Sequence, residues 1–144
     1  MNLITITEPQ SAIAEAYRTL RTNLHFAMLD APLRTLLVVS SDSVRAAATV
    51  LANLAVTLAQ VGKRVIAVDA DLRAPTLHTA FDVPDAAGLA DWLAGGANDT
   101  SEPPLRPTTL PNLSVLTSGA LPAIPADLVS SDRMAHAVAR LGEM

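Results

Sequence analysis

Residues 35–69 decide the fold, and they read TLLVVSSDSVRAAATVLANLAVTLAQVGKRVIAVD. Residues 35–40 have a four-residue apolar core bounded by polar residues, and 64–69 repeat that pattern, which is typical of strands buried on both faces. Between them, residues 43–60 are rich in alanine and apolar nearly all round, as a buried helix is, and Gly62 follows as a helix stop. The stretch therefore predicts a strand, a helix and a second strand, with the two strands parallel.

Further elements are predicted on both sides of this unit. Alternation over residues 2–6 predicts a short strand, and apolar residues at helical spacing predict a helix over 11–27. C-terminal to the unit we expect an irregular loop over 71–81, a short helix over 88–93, an exposed connection over 95–111, a strand over 113–117 and a helix over about 126–141. Alternating strands and helices with right-handed crossovers give an α/β fold, a doubly wound, mostly parallel sheet in three αβα layers.

The length and composition fit one such domain. The 144 residues are 50% hydrophobic, 17% charged and only 3% aromatic, which argues against disorder and leaves Ala, Val and Leu to fill the core. A net charge of −4, with a single lysine at position 63 and no basic stripe, argues against a nucleic-acid partner. The absence of cysteine excludes disulfides and thiolate metal sites. We predict neither a signal peptide nor a segment that spans a membrane.

Two strand ends are candidates for a ligand site, because ligands of open α/β sheets bind beyond the carboxyl ends of the strands. The turn over 40–49 occupies the place of a phosphate-binding loop. Asp69 and Asp71 leave the second strand, as carboxylates that hold Mg²⁺ or polarise a water do. The alternative is a pair of carboxylates that caps local N–H groups. The three histidines have no metal-ligand spacing, so no other metal site is expected.

The chain resembles the bacterial tyrosine kinases of exopolysaccharide assembly, relatives of the MinD and ParA group of deviant P-loop ATPases. The residues that carry the resemblance are EAYRTLRTNL at 15–24, ANLAVTLAQ at 52–60, VDADLR at 68–73, GL at 88–89, NLSVL at 112–116 and Gly119. The resemblance implies a P-loop NTPase-like domain, of which residues 1–144 are the N-terminal portion. Residues 1–30 would hold a strand and an oligomerisation helix, and 34–144 the αβ core.

The expected phosphate loop departs from the family pattern. The family's Walker A loop, Gly-x-Gly-Lys-Ser/Thr-Thr, falls without insertion or deletion on Val44, Arg45, Ala46, Ala47, Ala48 and Thr49. The glycines that turn N–H groups toward phosphates, the lysine that neutralises them and the hydroxyl that ligates Mg²⁺ are thus replaced. We therefore expect a degenerate Walker A, a helix that begins about one turn earlier, and neither ATP nor Mg²⁺, the cofactors of the family.

The resemblance also bears on the carboxylates and on the end of the chain. Asp69 and Asp71 correspond to the family's Walker A′ pair and are expected to be relict, with no catalytic or metal-binding role. The chain ends at Met144, before the family's Walker B strand and its tyrosine-rich tail, and the one tyrosine, Tyr17, lies in the N-terminal helix. We therefore expect no phosphate transfer by this chain.

Glu15, Arg18 and Arg21 recur every three residues, on one side of the predicted N-terminal helix. The ordinary interpretation of such residues is a solvated charged face. In the family, a helix with this pattern docks against the neighbouring subunit of a ring. The resemblance therefore implies a homo-oligomer held by these three residues.

These observations favour a non-catalytic, pseudokinase-like module of exopolysaccharide, capsule or lipopolysaccharide biosynthesis and export. We expect it to act by self-association or by binding the cytoplasmic segment of a membrane polysaccharide co-polymerase, in the cytoplasm and peripheral to the inner membrane through that partner. Two alternatives stay open. One is a tyrosine kinase or ATPase of the same family that binds nucleotide in an atypical way, and the other is a truncated relic without function.

Overall fold

A computed structural model describes residues 1–27, 29, 33–41, 43–95 and 102–144, with Val44 described through its backbone only. Within these ranges the elements in chain order are α1 (Ile4–Thr7), α2 (Ala12–Ala27), α3 (Val44–Gln60), β1 (Val65–Val68), α4 (Leu77–Phe81), α5 (Leu89–Ala94), β2 (Arg106–Pro107), β3 (Leu113–Leu116), α6 (Pro125–Val129) and α7 (Asp132–Glu143). None of the helices in the described part of the chain has the length and apolar character needed to cross a membrane.

The three strands form one sheet in the order β1, β3, β2. β1 and β3 are parallel, with Val65 opposite Leu113 and Val68 opposite Leu116. The two-residue β2 pairs with β3 in the antiparallel sense. The predicted α/β class is confirmed, and β2 adds a short antiparallel edge to the parallel pair.

Helices cover both faces of the sheet, because alternate residues of each strand point to opposite sides. On one face, α3 and α4 pack against the strands in a cluster that includes Val56, Ala67 and Val115. On the other face, α5 and α7 pack against the strands in a cluster that includes Leu89 and Leu116. The predicted three layers are therefore present, and the core is built from small aliphatic side chains.

Five predicted elements are confirmed. The helices predicted over 11–27, 43–60 and 88–93 are α2, α3 and α5, and the strands predicted over 64–69 and 113–117 are β1 and β3. The irregular loop predicted over 71–81 is wrong at its end, where α4 forms one helical turn on the core. The exposed connection over 95–111 contains β2, and its residues 96–101 lie outside the described residues.

The single helix predicted over 126–141 is wrong, because this stretch forms α6 and α7. The side-chain hydroxyl of Ser131 accepts a hydrogen bond from the N–H of Met134 at 3.3 Å and caps a new helix. Serine competes for backbone groups in this way, and it is therefore favoured at helix starts over helix interiors.

The strand predicted over 2–6 is also wrong, because Ile4–Thr7 forms α1. The backbone N–H and the hydroxyl of the buried Thr5 donate to Oδ1 of Asn53 at 3.1 and 3.0 Å. The side-chain amide of Asn53 donates in turn to the carbonyl of Asn2 at 3.3 Å. One buried side chain of α3 thus holds the N-terminal turn against the helix layer instead of the sheet.

The strand predicted over 35–40 is not in the sheet. Residues 33–40 run without helix, turn or bend, and among the described residues none of 33–39 makes a backbone-to-backbone hydrogen bond. Leu37 and Val39 are 80% and 77% exposed, whereas Val38 between them is half-buried. Apolar character alone does not make a strand, because a strand also needs a neighbour to take its backbone groups.

Candidate functional site

Residues 44–49, which occupy the place of a phosphate-binding loop, form the first turns of α3. This helix begins at Val44 and continues without a break through residues 44–49 to Gln60. The hydroxyl of Ser43 caps it by accepting the N–H of Ala46 at 3.2 Å. The carbonyl of Ser43 accepts the N–H groups of Ala46 and Ala47 at 3.1 and 3.3 Å. These two N–H groups are therefore bonded within the chain.

The side chains of this turn add few groups that could hold an anion. Arg45 is the one charged side chain among the six expected loop positions, and it is exposed. Ala47 and Ala48 carry only methyl groups, and the Thr49 hydroxyl donates back to the carbonyl of Arg45 at 2.8 Å. A phosphate at this turn would meet neither the lysine nor the glycine backbone that a phosphate loop supplies.

Asp69 lies at the carboxyl end of β1 and is 5% exposed. Its Oδ2 accepts the N–H groups of Thr76 and Leu77 at 2.9 and 2.8 Å, and its Oδ1 accepts that of Asp71 at 3.3 Å. Burial raises the pKa of Asp69 above its ordinary value, the three N–H donors lower it in part, and the charge of Asp71 raises it further. The carboxylate thus ties the loop after β1 to the start of α4.

Asp71 is bonded in the same manner. Its Oδ1 accepts the N–H groups of Arg73 and Ala74, both at 3.1 Å. Its Oδ2 is buried and has no hydrogen-bond partner among the described residues. The structure brings the two carboxylates together at the end of β1, and both cap local N–H groups, as in the second of the two interpretations that the sequence left open. The described ranges hold no cluster of three or more metal-ligating side chains.

Sequence reasoning missed the way α5 docks on the end of β3. The N–H of Leu89 donates to the carbonyl of Thr117 at 2.8 Å, and the N–H of Ala90 donates to the carbonyl of Ser118 at 2.9 Å. Two N–H groups of the first turn of α5 are thus satisfied by the strand end. Thr117 and Ser118 follow β3 and are fully buried, and this strand end is closed by a helix.

One carboxylate and two glycines hold this docking in place. Oδ2 of Asp91 accepts the N–H groups of Gly88 and Ala120 at 2.9 and 3.1 Å. A Cβ at Gly119 would lie 2.0 Å from that oxygen and 2.6 Å from the nitrogen of Gly88, and Gly119 has a φ of +72°. Only glycine permits this approach of the two backbones. In the sequence, only the glycines at positions 88 and 119 indicated this docking, and their spacing does not show that they are in contact.

The three charged residues of α2 contact groups of their own chain. Arg18 pairs with Glu15 at 2.8 Å and donates to the carbonyl of Pro9. Arg21 donates to the carbonyl of Thr57 on α3 at 3.1 Å and so helps to hold α2 on α3. The Glu15 side chain remains 67% exposed. No hydrogen bond or ion pair in the described ranges links these side chains to the carboxylates at the end of β1.

Comparison with known proteins gives consistent likenesses, although no protein-family model matches the chain. The tyrosine-protein kinase YwqD of Bacillus subtilis (strain 168) is 42% identical over 133 residues, which are 92% of this chain and 55% of YwqD. The chimerical protein CapA2B2 has a similar crystal structure, with a TM-score of 0.83 and 34% identity over 96% of this chain and 60% of that one. The kinase domain of the Escherichia coli tyrosine kinase ETK gives a TM-score of 0.88 and 29% identity, over 99% and 55% of the two chains.

The likeness in sequence and the likeness in structure both extend along nearly the whole of this chain. The chain spans about half the length of the curated relatives it matches. The same order of helices and strands that carries the three-layer fold is thus shared with solved kinase domains of the P-loop NTPase type. The chain belongs to the family of bacterial tyrosine kinases.

Proposed function

We propose that this chain is a non-catalytic, pseudokinase-like module of the bacterial tyrosine kinase family, which serves exopolysaccharide or capsule biosynthesis and export by binding other proteins. One observation carries the proposal. Helix α3 runs unbroken through residues 44–49, where the family pattern requires a loop around phosphate, and the N–H groups of Ala46 and Ala47 are bonded to Ser43.

The residues at the two strand ends do not fit Mg·ATP. A phosphate at the start of α3 would have to displace the Ser43 cap, which stabilises a helix by about 1 kcal/mol, and no lysine would compensate for the loss. At the end of β1, Oδ2 of Asp69 accepts two backbone N–H groups and Oδ1 accepts one, so a cation would compete with the donors that hold the loop. We therefore derive no phosphate-transfer step.

Self-association is supported by the outer face of α2. Ile13 and Leu20, seven residues apart on one side of the helix, are 56% and 38% exposed, and the exposed Ala16 lies between them. Apolar side chains that face solvent at helical spacing are typical of a helix that packs on a partner. Glu15 and Arg18 lie on another side of α2, roughly 130 to 170° around the helix axis from this stripe, and would form a separate, charged contact with a partner, while Arg21 holds the helix in place.

A second partner is the cytoplasmic segment of a membrane polysaccharide co-polymerase, which would keep the module in the cytoplasm and close to the inner membrane. This part of the proposal draws on the family resemblance. It requires that the same 144 residues bind both their own copies and the membrane protein.

The second candidate function is a tyrosine kinase or ATPase that binds nucleotide in an atypical way. It is favoured by the presence of Asp69 and Asp71 at the end of β1, and by Oδ2 of Asp71, which is buried without a partner in the described part of the chain. A transfer assay with radiolabelled ATP and Mg²⁺ separates the two functions. We expect no label on the chain or on added YwqD that has been inactivated, with active YwqD as the positive control. Label above the control without enzyme would establish the kinase.

The α2 surface is tested by Glu15→Arg, measured by light scattering across a range of protein concentrations. We expect the charge reversal to weaken self-association by at least about tenfold, because the charge that Glu15 offers to a partner would be reversed. Glu8→Arg is the matched control, since Glu8 is an exposed glutamate in the turn between α1 and α2. Equal behaviour of both variants would remove α2 from the interface.

A further inference from the structure

Residues 1–27 are attached to the rest of the described chain through one helix. Every hydrogen bond that the structure describes between residues 1–27 and residues 33–144 goes to α3. Three of these bonds involve the side chain of Asn53, and one ends on the carbonyl of Thr57. Residues four positions apart lie on the same side of a helix, so both attachments are made along one side of α3.

Residues 1–27 are also bonded among themselves, and we call them the N-terminal unit. The N–H of Glu8 donates to the carbonyl of Ile4 at 2.9 Å, and the N–H of Ser11 donates to the carbonyl of Glu8 at 3.0 Å. Arg18 of α2 donates to the carbonyl of Pro9, which lies in the turn between α1 and α2. Because the turn is bonded to both helices, α1 and α2 are expected to move together.

Asn53 is fully buried and uses the whole hydrogen-bonding capacity of its side chain. Its Oδ1 accepts the N–H and the hydroxyl of Thr5 at 3.1 and 3.0 Å. Its Nδ2 donates to the carbonyls of Asn2 and Thr49 at 3.3 and 3.0 Å. Aspartate has the same shape but no donor, and leucine has neither donor nor acceptor. A substitution at this position therefore leaves groups of the N-terminal unit unpaired in a buried place.

The apolar contact between α2 and α3 is small, so the position of α2 depends on the polar attachments. Ala14 is the one buried residue of this fully described helix, and the larger apolar side chains of α2 are half-buried or exposed. Arg21 holds the middle of α2 by donating to the carbonyl of Thr57 at 3.1 Å, and Asn53 holds the unit at Thr5, ahead of α2. Two points of attachment fix both the place and the direction of α2, whereas a single point would let it turn.

We propose that the N-terminal unit opens from α3 as a whole while the sheet stays folded, and that Asn53 is the positioning residue that keeps α2 in place. Local opening of this kind is expected where an element is held by few apolar contacts and a small number of polar bonds. Self-association through α2 would then depend on Asn53, although this buried side chain touches no partner. That consequence rests on the proposed function, whereas the opening of the unit does not.

Amide hydrogen exchange tests the opening of the unit. In the wild type, we expect the amides of α2 to be protected at least tenfold less than those of β1 and β3. Asn53→Leu should raise the exchange rates of the α2 amides at least tenfold further, because it removes one of the two attachments. Unchanged exchange of α2 in Asn53→Leu would overturn the proposal.

Thr57→Val is the matched control. The Thr57 side chain is also fully buried in α3, but its hydroxyl donates to the carbonyl of Leu54 at 2.8 Å, and the carbonyl that accepts Arg21 is kept. This variant should therefore raise the exchange rates of β1 and β3 amides, which require unfolding of the domain, and leave those of α2 at the wild-type values. Equal acceleration of α2, β1 and β3 would mean that the unit opens only with the whole domain, and would overturn the proposal.

Thr5→Val is the milder variant, for use if circular dichroism shows that Asn53→Leu does not fold. It keeps the shape of the buried side chain and removes only the hydroxyl that donates to Asn53. We expect it to raise the exchange rates of the α2 amides about threefold or more. Wild-type exchange of α2 in this variant would show that the attachment does not hold the unit.

Light scattering separates this inference from the proposed function. We expect Asn53→Leu to weaken self-association at least tenfold and Thr57→Val to leave it unchanged. If the wild type associates and Asn53→Leu associates equally well, Asn53 does not position α2 and the proposal is overturned. If the wild type is monomeric but shows the expected exchange pattern, the self-association of the proposed function fails and the opening of the N-terminal unit is supported.

Discussion

The start of α3 and the end of β1, the two places where the sequence suggested a ligand, differ in how their polar groups are used. At the start of α3, residues 44–49 include neither glycine nor lysine, and the backbone N–H groups of Ala46 and Ala47 bond to Ser43. At the end of β1, the carboxylates of Asp69 and Asp71 are present, but they accept N–H groups of their own loop. The first region lacks the residue types that hold phosphate, and the second uses its carboxylates for a structural task.

The two regions should also differ in how much they contribute to the stability of the protein. The start of α3 is exposed, so its cap is replaceable by water at modest cost. Asp69 at the end of β1 is buried, so a donor that loses its carboxylate there would be left without water. Variants at the buried edge should therefore cost more stability than variants at the turn.

The largest effect is expected at Gly119, where the added methyl group of Gly119→Ala would lie 2.0 Å from Oδ2 of Asp91. We expect the free energy of unfolding to fall by about 3 kcal/mol or more, since backbone and carboxylate must both move. Gly62→Ala is the control, because Gly62 has a similar φ of +80° with no heavy atom within 4 Å of the added carbon, and should cost about 1 kcal/mol. Urea unfolding measures both, and equal losses would show that the contact is not tight.

Asp69→Ala should have the next largest effect. It leaves the N–H groups of Thr76 and Leu77 without their acceptor in a buried place, which costs about 1 to 3 kcal/mol. Glu8→Ala, at an exposed position, should change stability by less than about 0.5 kcal/mol. If the two variants unfold at the same urea concentration, the carboxylate does not hold the loop.

The pKa of Asp69 gives the buried edge a pH dependence. Because burial raises this pKa in the folded state, the folded protein keeps the proton at pH values where the unfolded chain has lost it. The stability of the wild type should therefore fall, relative to that of Asp69→Asn, as the pH rises from the ordinary value to the raised one. Urea unfolding of both proteins over a pH series measures this difference. If the wild type instead gains stability relative to Asp69→Asn as the pH rises, the N–H donors outweigh burial and the pKa of Asp69 is lowered.

Ser43→Ala should have the smallest effect, about 1 kcal/mol, through loss of the cap on α3. Ser41→Ala is the matched control at an exposed serine two residues earlier, and we expect less than about 0.5 kcal/mol there. If Ser43→Ala lowers the free energy of unfolding as much as Asp69→Ala does, water does not replace the cap at the start of α3.

The sequence predicted those elements whose structure depends mainly on their own residues. The helix α3 and the strands β1 and β3 follow from hydrophobic periodicity within each segment. Residues 35–40 have the same periodicity as β1, but a strand exists only if a neighbour pairs with it, and periodicity says nothing about the neighbour. The alternation over residues 2–6 is short enough to fit one helical turn as well as a strand.

The candidate site was predictable in its residues but not in their bonding. The positions of Asp69 and Asp71 at a strand end follow from the pattern. The main donors to Asp69, however, come from residues seven and eight positions later, after an irregular loop. The carboxylate of Asp91 bonds to Ala120, 29 residues away. Contacts of this kind depend on the folded backbone, so sequence spacing does not reveal them.

Isothermal titration calorimetry of the chain with Mg·ADP and Mg·ATP tests the central claim most directly, with YwqD titrated in parallel as the protein expected to bind. The unbroken start of α3 and the engaged carboxylates at the end of β1 predict no binding heat at nucleotide concentrations up to the millimolar range. A dissociation constant in the micromolar range for either nucleotide would contradict the claim that this chain acts without the cofactors of its family.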